Sequence, residues 1–203
     1  MIPITGVVTD SSSWTTASPY ADRTGERDCG AVMTFRLTHK LAMKIKAGKP
    51  SPPPPAEDPF TDWSGHLFVA GRVQYILLSN TTSLYSTVMY GRGVTDVDGF
   101  LKGALFAIRG TLEADGLGDV YERHVLPSTG PIEFAGAIDR AVTGSMNELV
   151  VQARFLLSGG ELSPSDLGPR LNDVLLSAIA VYGKGGYATP RAAFRAMASR
   201  IAG

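Results

Sequence analysis

WSGHLFVAGRVQYILLSNTTSLYSTVMY, residues Trp63–Tyr90, decides the architecture. It divides into three short strands, at about 66–70, 73–79 and 84–90, each rich in the β-branched and aromatic residues that suit a pleated, half-buried surface. The two-residue break at Gly71-Arg72 predicts a tight hairpin. The polar cluster Ser79-Asn80-Thr81-Thr82 is a turn signal, because short polar side chains bond their own backbone. The unbroken apolar run Tyr75–Leu78 predicts a central strand covered on both faces. Gly91 and Gly93 end the sheet.

After this block, Thr95–Asp115 reads as a helix. Val97, Phe100, Leu101, Ala104, Leu105, Ile108 and Leu112 recur at helical spacing and form one broad apolar face. Thr95 with Asp98 resembles a capping box, and Gly116 is placed to end the helix in the left-handed region. Val120–Leu126 reads as a strand carrying Arg123 and His124, and Ile132–Ile138 as a strand or loop. A helix over Thr143 to Leu157 would turn Met146, Leu149, Val150, Ala153 and Leu157 to one side. Ser163 with Asp166 can cap a further helix, but Gly168 and Pro169 interrupt it, which makes Arg170–Val181 the stronger helical piece. Pro190, after Thr189, opens a last helix to Ile201.

Before the block, Thr34–Leu37 is a strand candidate. Thr38 is the N-cap of a helix that buries Leu41, Ala42 and Ile45 and ends at Gly48. The prolines at 50 and 52–55 favour extended polyproline II, so a Pro-rich surface loop is expected over 50–59. The order of elements predicts an α+β fold: an antiparallel sheet with helices packed on one face and a helical C-terminal part.

The 203 residues suffice for one domain with a sizeable core. Residues 33–203 are expected to form it. Residues 1–32 have low periodicity and much Ser, Thr, Asp and Gly, and are expected to be a disordered or dispensable tail, either from an over-extended start or with a regulatory role. Nineteen basic and nineteen acidic residues cancel, which excludes a global basic footprint for nucleic acid but leaves room for a local patch. The single cysteine, Cys29, excludes an intramolecular disulfide and a cysteine-based zinc site, and accords with a cytoplasmic setting. No apolar run is long enough to span a membrane, and the start lacks the charged and apolar regions of a signal peptide.

Candidate site residues are few. Gly144-Ser145 at a helix start can offer backbone N–H groups to an anion, with Arg140 as counter-charge and Asn147 alongside; equally, Ser145 simply caps the helix. Arg123 and His124 can supply a phosphate-binding cation and a general base, yet on a strand they point to opposite faces, and an ordinary hydrogen-bonded histidine is the favoured reading of His124. Asn80 and Thr82, with His66 and Arg72, form a ligand-facing cluster or an ordinary turn. Lys40 and Lys44 lie in a basic stretch that touches phosphates or is a solvated helix face. Asp96-x-Asp98 lacks the third carboxylate and histidine of a metal site, and no cofactor motif is present.

Four stretches carry a resemblance: Phe35-Arg36-Leu37-Thr38-His39-Lys40-Leu41; Trp63 with Leu78-Ser79-Asn80-Thr81-Thr82; Arg140-Ala141-Val142-Thr143-Gly144-Ser145-Met146-Asn147-Glu148-Leu149; and Leu171-Asn172-Asp173 followed by Pro190. In this order the chain resembles an uncharacterised bacterial family of small domains of unknown function, from Met33 to about Met197. It departs at Ala141, where the family pattern has Ser, at Val174, where it has Pro, and in the proline insert. The resemblance implies a shared fold and no activity. The residues themselves favour a cytoplasmic, non-enzymatic binding or interaction domain acting through protein contacts, since no dense catalytic constellation exists. Two alternatives remain: a phosphate-directed enzyme, such as a toxin-like or defence-associated RNase, and a nucleic-acid binder using the local basic helix.

Overall fold

The computed structural model describes residues 32–48, 55–137, 140–160 and 162–201. The expected N-terminal tail, but for Val32, and most of the proline run lie outside the described residues. Strand β1, Met33–Leu37, leads into α1, His39–Ile45. A 3-10 turn, Pro59–Thr61, precedes β2, Asp62–Ala70. The hairpin partner β3, Val73–Asn80, and β4, Ser86–Tyr90, complete the meander. Helix α2 is Val97–Ala114. A single helical turn, α3 (Gly118–Val120), runs into a π-turn, Tyr121–Val125, and a 3-10 turn, Leu126–Thr129. Then come β5, Ile132–Ala135, and the helices α4 (Arg140–Ser158), α5 (Pro164–Leu171) and α6 (Pro190–Ile201).

The α+β class and the helical C-terminal part are as expected. The sheet runs β4-β3-β2-β1-β5 and is mixed, not wholly antiparallel. The meander β2-β3-β4 is antiparallel, while β1 lies parallel to both β2 and β5. Helices also cover both faces, where the sequence order had placed them on one. The reason is visible in β3, whose alternate residues enter separate cores. Ile76 and Leu78 pack with Leu41 and Ile45 of α1 and Phe100, Ala104, Ile108 and Leu112 of α2. Tyr75 and Leu77 pack with Met146, Leu149, Val150 and Ala153 of α4 and Leu167 and Leu171 of α5. The continuous apolar run thus marks a strand buried on both faces, as read.

Several boundaries shift by a few residues, α1 ending at Ile45 and α4 starting at Arg140, and three assignments differ more. Val120–Leu126 is helical, not a strand, so Arg123 and His124 do not point to opposite faces of a sheet. The cap of α2 is Asp96, whose carboxylate accepts from the Gly99 N–H at 2.8 Å, rather than Thr95. The Ser163/Asp166 capping box does start a helix, and Leu171 ends it; beyond come turns and a 3-10 turn at Ala180–Tyr182, not a helix over Arg170–Val181.

Candidate functional site

The segment Ala56–Asp62 ties two charged pairs to the sheet. Arg36 and Asp62 face each other from adjacent parallel strands, both almost wholly buried. Arg36 Nε and Nη2 reach the Asp62 carboxylate at 2.8 Å. The same carboxylate accepts from Thr81 Oγ1 at 2.8 Å and from the Ala56 N–H at 3.3 Å. Buried charge is tolerated only when paired and bonded in this way. Four residues earlier, Asp58 accepts from the Phe60 N–H at 2.9 Å with Oδ1 and meets His124 Nδ1 at 2.8 Å with Oδ2. His124 also packs on the Phe60 ring, with centroids 4.7 Å apart. This carboxylate fixes the imidazole and locks the π-turn onto the 3-10 turn before β2.

A second cluster joins helices to β4. Tyr85 donates its hydroxyl to Asp115 Oδ2 at 2.6 Å. Burial, and then Asp115, push the Tyr85 phenol far above its ordinary range. Arg191 bridges Asp115 and Asp173, and those carboxylates hold its guanidinium firmly charged.

The structure scatters the sequence-derived candidates. Arg140 opens α4, so Gly144 and Ser145 lie beyond the first turn, where N–H groups already have intrahelical acceptors. Ser145 is buried and Asn147 is exposed. These α4 residues belong to the face of α4 and α5, whereas His124 packs on the opposite core through Phe60; the two sets do not share a cleft. Arg123 bonds Asp119 on the surface at 3.0 Å. Asn80 is buried, donates to the Pro59 and Asp62 carbonyls and accepts from Ser83, which satisfies a turn; Thr82 is exposed beside it. His66 is half-buried on the face of α4, with Nδ1 buried and without a hydrogen bond among the described residues. Arg72 stands exposed at the hairpin tip and Lys40 on α1, while Lys44 Nζ donates to Gln74 Oε1 at 2.9 Å.

Two surface features escaped the sequence reading. Val151 and Phe155, one turn apart on α4, are 61% and 75% exposed. Next to them lies a pocket of about 320 Å³ lined by Phe155, Leu156, Ser158, Gly159, Leu162 and Arg170. The signal was present: both apolar residues stand off the stripe that packs on the sheet. The other feature is Tyr90, the exposed end of an aromatic stack. Among the described residues no group of three or more His, Cys, Asp or Glu side chains could hold a metal ion, and no helix is long and apolar enough to cross a membrane.

A mixed five-stranded sheet with helices on both faces defines a small α+β domain. Residues 34–193 match the model of the domain of unknown function DUF6933, and the chain belongs to that family. The resemblance to an uncharacterised small-domain family is thereby borne out. Neither a curated protein nor a solved structure matches the chain.

Proposed function

We propose that this protein is a non-enzymatic interaction domain of the cytoplasm that docks a protein partner on α4 at its junction with α5. The observation that carries the reading is the apolar surface of Val151 and Phe155, bordering the pocket between the two helices. Single apolar residues on a surface are ordinary; a pair one turn apart beside a concave site is what favours this position over the other exposed apolar residues. Arg170 is the charged member of the pocket lining. A partner segment that offers an apolar side chain followed by a carboxylate fits both features. The clustered internal charges support a non-enzymatic role, because Arg36, Asp62, Asp115 and Arg191 are all engaged within the fold. The single cysteine accords with a reducing compartment.

The test compares the wild-type chain with a Val151→Asp/Phe155→Asp variant as baits in extract of the source cells, after equal melting temperatures have been confirmed. A stoichiometric protein retained by the wild type and lost from the variant, whose binding segment also weakens on Arg170→Glu, supports the reading. Equal retention by both baits, or retention of nothing, overturns it. A homodimer in light scattering that the variant dissociates replaces the partner with a second copy of this chain.

A further inference from the structure

We propose that the corner of the sheet around Tyr90 binds single-stranded nucleic acid, stacking a base on the free side of the Tyr90 ring while Arg72 and Arg92 meet neighbouring phosphates. The proposal does not depend on the α4–α5 reading.

The first support is an aromatic ladder. Phe68, Tyr75 and Tyr90 occupy facing positions on β2, β3 and β4. Their rings stack at 5.5 and 5.6 Å with interplanar angles of 24° and 29°. Exposure climbs along the row, from 2% at Phe68 through 8% at Tyr75 to 54% at Tyr90. The two inner rings fix the tilt of the third. Sheet stability accounts for the inner pair, since cross-strand aromatic pairs stabilise sheets. It does not account for a more than half-exposed ring at the sheet edge.

The second support is charge. Ala70 and Val73 close the turn that carries Arg72, and Tyr75, two residues along, faces Tyr90. The Gly91 N–H donates to the Gln74 carbonyl at 2.8 Å, and Arg92 follows. Both arginines therefore stand at the end of the sheet that presents Tyr90. Both are exposed, and neither takes part in an ion pair among the described residues. Arg154 reaches the same end, bonding the Val69 carbonyl at 3.1 Å, while Lys44, bonded to Gln74, lies on the opposite face of the sheet. The nearest acid in sequence, Asp96, is engaged as the cap of α2. His66, two residues from Phe68 on the same strand face, has its pKa held below the ordinary value by burial first, then by Arg154 and Lys40. In a chain of zero formal net charge this is a local cationic excess. A rigid aromatic platform beside unpaired arginines is the arrangement by which sheets grip single strands, because every base has a π-face and every linkage a negative charge.

Fluorescence anisotropy of the full chain with a short fluorescein-labelled oligouridylate tests this. Affinity is expected to fall steeply with added salt. Tyr90→Ala should weaken binding at least about fivefold, while Tyr90→Phe keeps it. Arg72→Ala and Arg92→Ala should each lower the salt slope by about 0.7. Each variant is compared at a melting temperature matching the wild type. Absence of salt-dependent binding overturns the proposal. So does wild-type affinity in Tyr90→Ala, which would leave only charge attraction, and so does displacement by uridine monophosphate as effective, per mole, as by unlabelled oligomer.

Discussion

At the residue scale the most informative side chain is Asn172. Its Oδ1 accepts from the Ser86 N–H at 2.6 Å and its Nδ2 donates to the Ser86 carbonyl at 3.1 Å. One amide thus supplies both the donor and the acceptor that a neighbouring strand would give to the edge strand β4. Its own backbone carbonyl accepts from the Arg191 N–H at 3.0 Å, which seats α6. Asn172→Leu keeps much of the volume but leaves two buried backbone groups unmet. The expected loss is roughly 2–4 kcal/mol, read from urea unfolding; a loss under about 1 kcal/mol would show that water reaches Ser86. Tyr85 gives a prediction in pH. Its folded pKa is raised, by burial first and then by the bond to Asp115. The proton is therefore held more tightly in the folded state than in the unfolded chain. The stability from this group is complete below the unfolded tyrosine pKa, about 10, and is lost as pH rises above it toward the folded value. Between pH 10 and 11 the wild type should lose up to about 1.4 kcal/mol per unit from this proton. Tyr85→Phe should lack that component, so the difference between the two unfolding curves must shrink as pH rises. A constant difference across that range would refute the assignment.

At the element scale, packing separates glycines that the sequence makes look alike. Gly110 lies exposed inside α2 with nothing near the position of a Cβ. Gly110→Ala should stabilise by about 1 kcal/mol, through helix propensity alone. Gly168 lies in α5, where a Cβ would stand 3.2 Å from the Ser86 carbonyl oxygen and 3.2 Å from Thr111. Gly168→Ala should cost about 1–3 kcal/mol, because backbone and a bonded threonine cannot move aside. Differential scanning calorimetry of both variants checks the pair; shifts of the same sign would contradict the α5–β4 packing. The same contact explains what the sequence hid. The stripes of α2 and α4 were legible because helix period and burial agree in them. Gly168-Pro169 read as a break, whereas close approach to β4 is what holds α5 there. Val120–Leu126 read as a strand from its local pattern, yet Asp58, 66 positions away, anchors its histidine. The parallel places of β1 and β5 left no local trace, since pairing between remote segments has no short-range signature. Among the site candidates, Arg72 was legible as an exposed hairpin tip, but its neighbour Tyr90 depended on the register of three strands.

At the scale of the whole molecule, the two cores are tied too closely to melt apart. They share β3, whose adjacent residues Leu77 and Leu78 enter opposite cores. Helix α6 repeats the pattern, with Ala193 in one core and Phe194 in the other. The Asp115–Arg191 and Asn172–Ser86 contacts add polar ties among α2, α5, α6 and β4. One core draws its residues from Met33 to Met197 and the other from Phe68 to Ala193. A fragment of residues 33–203 is therefore expected to unfold in one step, at a midpoint within about 4 °C of the full chain. Trp63 is the fragment's sole tryptophan and is buried in the core of α1 and α2, so its fluorescence reports that face alone. Far-UV circular dichroism reports every helix, including α4 and α5 on the other face. The two midpoints should coincide in the fragment. If fluorescence changes first, the faces unfold separately and β3 does not couple them; if the fragment melts far below the full chain, residues 1–32 belong to the fold and the single-domain boundary at Met33 is wrong.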